Sequence, residues 1–252
     1  MTHTIQVFKK TNKTQGAHFA ASEIAQVITE NNQAGRPTVL GLATGSSVIG
    51  VYQELIRLHR VEGLSFKRVV TFNLDEYYGL EETHVQSYRY FMQQQLFDHI
   101  DIQAEHTFVP SGKLSQEAIP DFCQAYEDKI ESYGGLDLQL LGIGRNGHIG
   151  FNEPGSKLDS RTRLITLDSV TRQDAAGDFN GIDLVPTHAI TMGIRTILDA
   201  RRILMLAWSQ AKAPAVKAML QGPVSADLPA SYLQTHTQVH LVLDADSASL
   251  LD

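Results

Sequence analysis

Apolar residues recur along this chain in two alternating rhythms. The largely apolar runs TVLGLA (38–43), RVVTFNL (68–74), LDLQLLGI (136–143), RRILMLAW (201–208) and QVHLVLDA (238–245) predict the strands of a sheet covered on both faces. HAITM (188–192) predicts a shorter segment of the same kind. Between the runs, residues 48–60, 87–100, 116–133 and 211–220 read as helices. In the first of these, Val48, Val51, Tyr52, Leu55 and Leu58 fall on one face at helical spacing. Pro120 and Pro214 stand near helix starts, where a missing N–H costs nothing. Strands alternating with amphipathic helices predict an α/β domain spanning 1–252, with a mostly parallel sheet covered by helices on both faces.

In a Rossmann-like sheet of this kind, ligands bind beyond the carboxyl ends of the strands. Polar groups gather at four such ends: TGSS, DEYY, GRNGH and Lys212. Thr44, Gly45, Ser46 and Ser47 lie between a strand and a helix, where backbone amides and hydroxyls suit an anion cradle, with an ordinary capped turn as the competing reading. The loop lacks the lysine and spacing of a nucleoside-triphosphate loop, so a monophosphate fits better. Asp75 and Glu76 are adjacent carboxylates among Phe72, Tyr77 and Tyr78. Mutual repulsion and a dry setting raise the pKa of one of them, as acid–base work requires; a helix-capping role is the competing reading.

Gly142, Gly144 and Gly147 reproduce the G-x-G-x-x-G spacing of a dinucleotide site, with Asp168 about twenty residues on. That reading needs a helix directly after the third glycine. HIGFNEPGSKLDSRTR instead carries Pro154 and Gly155 and no helical period. Asn146, His148 and Glu153 suggest proton transfer to a small substrate, against the alternative of a polar turn that only caps its own backbone.

Composition narrows the field. A net charge of −7 over 252 residues gives no footprint for nucleic acid or an anionic membrane. The single cysteine, Cys123, excludes an intrachain disulfide and a thiolate zinc cluster, and reads as a structural thiol. Trp208 reads as bordering the pocket or packing beneath it. No apolar run is long enough to span a membrane, and residues 1–13 lack the apolar stretch of a leader, so the cytoplasm is the expected compartment.

TVLGLATGSS, FNLDEYYGL, SYRYFM, GRNGHIGFNEPGS, SRTR, PTHAITMG and ILDARRILML together resemble the glucosamine-6-phosphate deaminase family, which shares its fold with 6-phosphogluconolactonases. GHIGFNEP distinguishes the chain from the lactonases. The resemblance implies conversion of glucosamine 6-phosphate and water to fructose 6-phosphate and ammonia, with no metal or organic cofactor. It implies His148 for ring opening, Glu153 for orienting that histidine, Asp75 as the base between C2 and C1, and Ser46, Ser47 and Lys212 for the phosphate. Thr44, Gly45 and Glu76 complete the expected substrate-binding set, and Asn146 the catalytic one.

A lid is expected near 157–187. Two departures from the family pattern stand out. Asn146 replaces the aspartate of longer members, as in shorter bacterial ones. Gly177, in TRQDAAGDF, stands where the family carries an arginine on the phosphate, which leaves Arg145 or Arg172 to compensate. The short ending SASLLD suggests a monomer or small homo-oligomer without an allosteric sugar site. Within this fold the remaining alternatives are a deaminase for galactosamine 6-phosphate and a sugar-phosphate sensor without turnover.

Overall fold

The long apolar runs become parallel strands whose two faces are both covered. The computed structural model describes residues 5–251; the first four residues of the N-terminal stretch tested for a leader, and Asp252 at the end of SASLLD, lie outside it. In chain order the first elements are β1 (Gln6–Lys9), α1 (Lys13–Gln33), β2 (Thr38–Leu42), α2 (Ile49–Glu62), β3 (Val69–Asn73) and β4 (Asp75–Tyr77). Next come α3 (Tyr88–Gln95), β5 (Thr107–Phe108), α4 (Ile119–Ser132), β6 (Leu138–Gly142), β7 (Arg163–Thr166) and α5 (Ser169–Ala175). The chain closes with β8 (His188–Thr191), α6 (Ile194–Leu198), β9 (Ile203–Ala207), α7 (Ala213–Gln221) and β10 (Val239–Leu243).

The main sheet runs β1-β10-β9-β6-β2-β3-β5, and each adjacent pair in it is parallel. From β2 the chain winds toward one edge through α2 and β3, whereas β6, β9 and β10 wind toward the other. The order therefore reverses between β2 and β6, and the loops leaving those two strands diverge to open a crevice. TVLGL and VVTFN are buried at every position, as strands covered on both faces must be.

A second, antiparallel sheet, β4-β8-β7, sits beyond the carboxyl end of β3. The chain steps between the sheets at Leu74, whose N–H donates to Leu42 O (3.0 Å) and whose carbonyl accepts from Met192 N (2.7 Å). HAITM is thus a strand, but of the small sheet rather than the main one. Alternate residues of β8 serve different partners: Ala189 packs with Tyr77, Phe151 and Phe179, whereas Ile190 packs with Ile119 and Cys123 of α4. That sidedness holds the small sheet between α4 and an aromatic cluster over the crevice.

The 87–100 segment is not one helix. α3 stops at Leu96 (φ −146°), and a 3-10 turn covers Phe97–His99. α7 likewise starts after a 3-10 turn over Gln210–Lys212, which leaves Lys212 at its cap. Among the described residues no helix is long and apolar enough to cross a membrane.

Candidate active site

The crevice at the reversal point is a cleft of about 280 Å³ lined by groups from five segments of the chain. Thr44–Ser47 come from the end of β2, Asp75 from β4, His148 and Phe151 from the loop after β6, Thr171 and Asp174 from α5, and Lys212 from the start of α7. Larger grooves of about 640 and 540 Å³ flank α4 elsewhere. Neither has strand carboxyl ends or an acid–base pair facing it, and chemistry, not size, selects the smaller cleft.

The loop after β6 explains its own glycines. The Gly144 N–H donates to His148 O (2.9 Å), folding the loop back so that the imidazole lies on Gly144; a Cβ there would sit 2.2 Å from His148 Nδ1. Gly147 has φ +80°, and a Cβ would meet Leu228 at 2.1 Å. No helix follows until α5, and the Asp168 carboxylate caps that helix by accepting from Val170 N at 2.7 Å. Gly144 makes room for a histidine and Gly147 for Leu228, not for a pyrophosphate.

Behind the imidazole runs a chain of hydrogen bonds. The Asn146 amide nitrogen donates to Glu153 Oε2 (3.0 Å), which turns its oxygen toward His148 Nδ1 at 2.7 Å. An acceptor at Nδ1 requires the proton there, so neutral His148 keeps its lone pair on Nε2. Glu153 Oε2 is itself 3.4 Å from Nδ1, and Thr171 Oγ1 is also at 3.4 Å. Burial pushes the Glu153 carboxyl up, but its bonds to His148, Thr171 and Asn146 outweigh this and hold it below the ordinary range. Asn152 ties the loop down, donating to Ile149 O (2.9 Å) and Met192 O (2.8 Å). Asn146 and Glu153, both expected among the catalytic residues, do not line the cleft; they reach it only through their contacts with His148.

Asp75 and Glu76 part company. Strand alternation sends the Asp75 carboxyl into the cleft, buried at 6% exposure. Burial first, and the Glu76 charge second, raise its pKa to about 8, opposed by a bond from the Phe151 backbone. Glu76 faces away. Its carboxylate accepts from Tyr77 N (2.8 Å), Tyr88 N (2.9 Å) and Arg89 N (3.0 Å), capping α3. Burial raises Glu76 to about 7 against those three donors. The expectation that Glu76 touches substrate is therefore corrected, because its oxygens are spent on backbone amides outside the cleft.

At the other end, Gly45 (φ +93°), Ser46 and Ser47 turn into α2, and the Ser47 carbonyl accepts from Trp208 Nε1 at 2.8 Å. The Trp208 ring itself packs over Gly16 of α1. Lys212 borders this turn, and burial lowers its pKa. Arg172 points elsewhere: its Nη2 donates to Ile182 O (2.8 Å) and Val185 O (3.2 Å), and the residue does not line the cleft. The sequence alone did not single out Tyr88, which lines the cleft, nor Thr171 and Asp174. The TRQD spacing, i to i+3 on one helix, carried the signal for the last two. Among the described residues no three His, Cys, Asp or Glu side chains are grouped to hold a metal ion.

A family model described as Glucosamine-6-phosphate isomerases/6-phosphogluconolactonase matches residues 11–242. The chain belongs to this family. A glucosamine-6-phosphate deaminase of Clostridium perfringens (strain SM101 / Type A) is 47% identical over 240 residues, covering 95% of this chain and 97% of that relative. A longer Bacteroides thetaiotaomicron protein, named deaminase-like, is 47% identical over 234 residues. The match covers 93% of this chain and 35% of that protein. A solved monomeric glucosamine-6-phosphate deaminase superposes with a TM-score of 0.93 at 44% identity, covering 98% of this chain and 100% of the other. The family fold thus accounts for the mostly parallel sheet with its covering helices.

Proposed function

We propose that this chain converts glucosamine 6-phosphate and water into fructose 6-phosphate and ammonia. The observation that carries the reading is a raised-pKa carboxyl, Asp75, in one cleft with a histidine whose tautomer is fixed from behind. End-to-end identity with deaminases supports the same reading.

The phosphate sits on the Thr44–Ser47 amides and hydroxyls with Lys212 as counter-charge. His148 Nε2 takes the proton from the C1 hydroxyl of the closed sugar and returns it to the ring oxygen, opening the ring to the aldehyde. Asp75 then removes the C2 proton to give a cis-enolamine and delivers it to C1, leaving an imine at C2. Water adds to that carbon, the C–N bond breaks, and ammonia leaves as the ketone forms. A carboxyl poised near pH 8 is basic enough to take a carbon-bound proton, yet a useful fraction remains ionised close to neutrality. The Tyr77, Tyr88, Phe151 and Phe179 rings, 5.0–5.8 Å apart, keep that base dry.

Residues 157–187 act as the lid, since α5 carries Thr171 and Asp174 into the cleft. A phosphorylated sugar does not cross membranes, so the enzyme works in the cytoplasm. We assign it as a monomer, by likeness to the monomeric neighbour.

Ammonia release coupled to fructose 6-phosphate detection tests the reading in wild type and Asp75→Asn. Equal yields of both products, reduced at least about a hundredfold in the variant, are expected. Equal turnover of galactosamine 6-phosphate would move the substrate to that epimer. Binding without turnover of either would make the protein a sensor.

A further inference from the structure

A phosphate monoester carries close to two negative charges at neutral pH, and Lys212 balances one of them. Several other arginines near the cleft are committed to protein partners. Arg172 bonds loop carbonyls, Arg163 donates to Asn152 Oδ1 (2.9 Å), and Arg89 holds the Thr107 hydroxyl and carbonyl (both 3.0 Å). Arg145 differs from these. It leaves β6 beside Gly144, and its partner is a cleft-lining carboxylate, Asp174, to which Nε donates at 3.0 Å and Nη2 donates as well.

The fork-to-carboxylate pair is exposed, 49% on the arginine and 38% on the aspartate. The charges of both act on Lys212, the carboxylate raising its pKa and the guanidinium lowering it. Lys212 and Asp174 line the cleft with the Gly45–Ser47 turn, and Arg145 joins them through its bonds to Asp174, from just outside that lining.

We propose that Arg145 binds the substrate phosphate and that Asp174 is a resident anion, holding the guanidinium until phosphate takes the place of its carboxylate. The assignment rests on the reading of this cleft as a sugar-phosphate site. Guanidinium meets carboxylate and phosphate with the same bidentate geometry, so the exchange trades one pair of charge-assisted bonds for another. An ion pair this exposed is weakly held in water, which makes it easy to displace. Asp174 thereby keeps two like charges from repelling each other in the empty cleft and sets the threshold for phosphate entry.

The test is calorimetric affinity for inorganic phosphate, together with KM for glucosamine 6-phosphate, in wild type, Arg145→Ala, Asp174→Asn and the double variant. Arg145→Ala is expected to weaken phosphate binding about tenfold and raise KM in proportion, with kcat changed far less. Asp174→Asn is expected to tighten phosphate binding and lower KM several-fold, and to give a clearly smaller gain in the Arg145→Ala background, where only Lys212 is relieved of the carboxylate. Unchanged or weaker phosphate binding in Asp174→Asn would overturn the proposal, because a strut joining loop to helix loses from either truncation. Asp174→Asn decides the matter alone if Arg145→Ala does not fold. Phosphate responses as expected in a protein that deaminates nothing would sink the substrate assignment and leave this one standing.

Discussion

The side-chain oxygen of Asn146 lies 2.7 Å from Nδ1 of His148, while the amide nitrogen of the same residue is held by Glu153. The carboxylate fixes the amide's orientation, the amide fixes the imidazole tautomer, and Nε2 is left open to the cleft. In the proposed mechanism an asparagine thus performs the orienting task of an aspartate without taking part in proton transfer. Asn146→Ala frees the ring and is expected to lower kcat by about tenfold to a hundredfold while KM changes little, read by steady-state kinetics.

Gly144→Ala tests the same ring from its other face. A Cβ 2.2–2.5 Å from three imidazole atoms forces the ring to swing. A displacement near 1 Å is expected to cost about a hundredfold in kcat. An active Gly144→Ala enzyme would show that the imidazole is not where the reaction needs it.

The acid limb of the pH–rate profile belongs to the Asp75–Glu76 pair. The base must be ionised, so kcat/KM is expected to rise with pH through a midpoint between about 7 and about 8 and then level off. A limb near pH 4 would mean that burial does not lift this carboxyl.

Stability should show the opposite trend. Folded Asp75 keeps its proton up to about pH 8, whereas the unfolded chain loses it near 3.8. Between those values the native state binds the extra proton, and the contribution of Asp75 to stability falls as pH rises. Asp75→Asn removes that dependence. Its melting temperature is expected to gain on wild type progressively from pH 4 to 8 and no further, while activity is lost.

Gly177 leaves space where the family resemblance implies an arginine. A Cβ added there would have nothing within 4 Å, and the backbone is not in the left-handed region that would strain a larger residue. Gly177→Arg is expected to lower KM for the sugar phosphate by up to about tenfold, measured beside the wild type at low salt.

Much of this was legible in the chain itself. The buried runs at 38–43 and 201–208 announced parallel strands, because a strand covered on both faces leaves no polar alternation. Others hid for physical reasons. α1 opens its core face with Gly16, Ala17, Ala20 and Ala21, small residues that give a weak hydrophobic period, and β1 is an edge strand of mixed exposure. Tertiary structure alone decided that HAITM pairs with β4 and β7, since periodicity names a face but not a neighbour.

The site divides in the same way. Residue type and strand-end position determined Asp75, His148, Lys212 and the TGSS turn, because acid–base and anion chemistry need those groups beyond the carboxyl ends of strands. Which of two adjacent carboxyls enters the cleft was beyond the sequence. That follows from the pleat of β4 and from the free amides of α3, which bring together residues 76, 88 and 89 and claim Glu76 for themselves. The pairing of Arg145 with Asp174 likewise exists only because α5 folds back over the loop after β6, joining residues 29 positions apart.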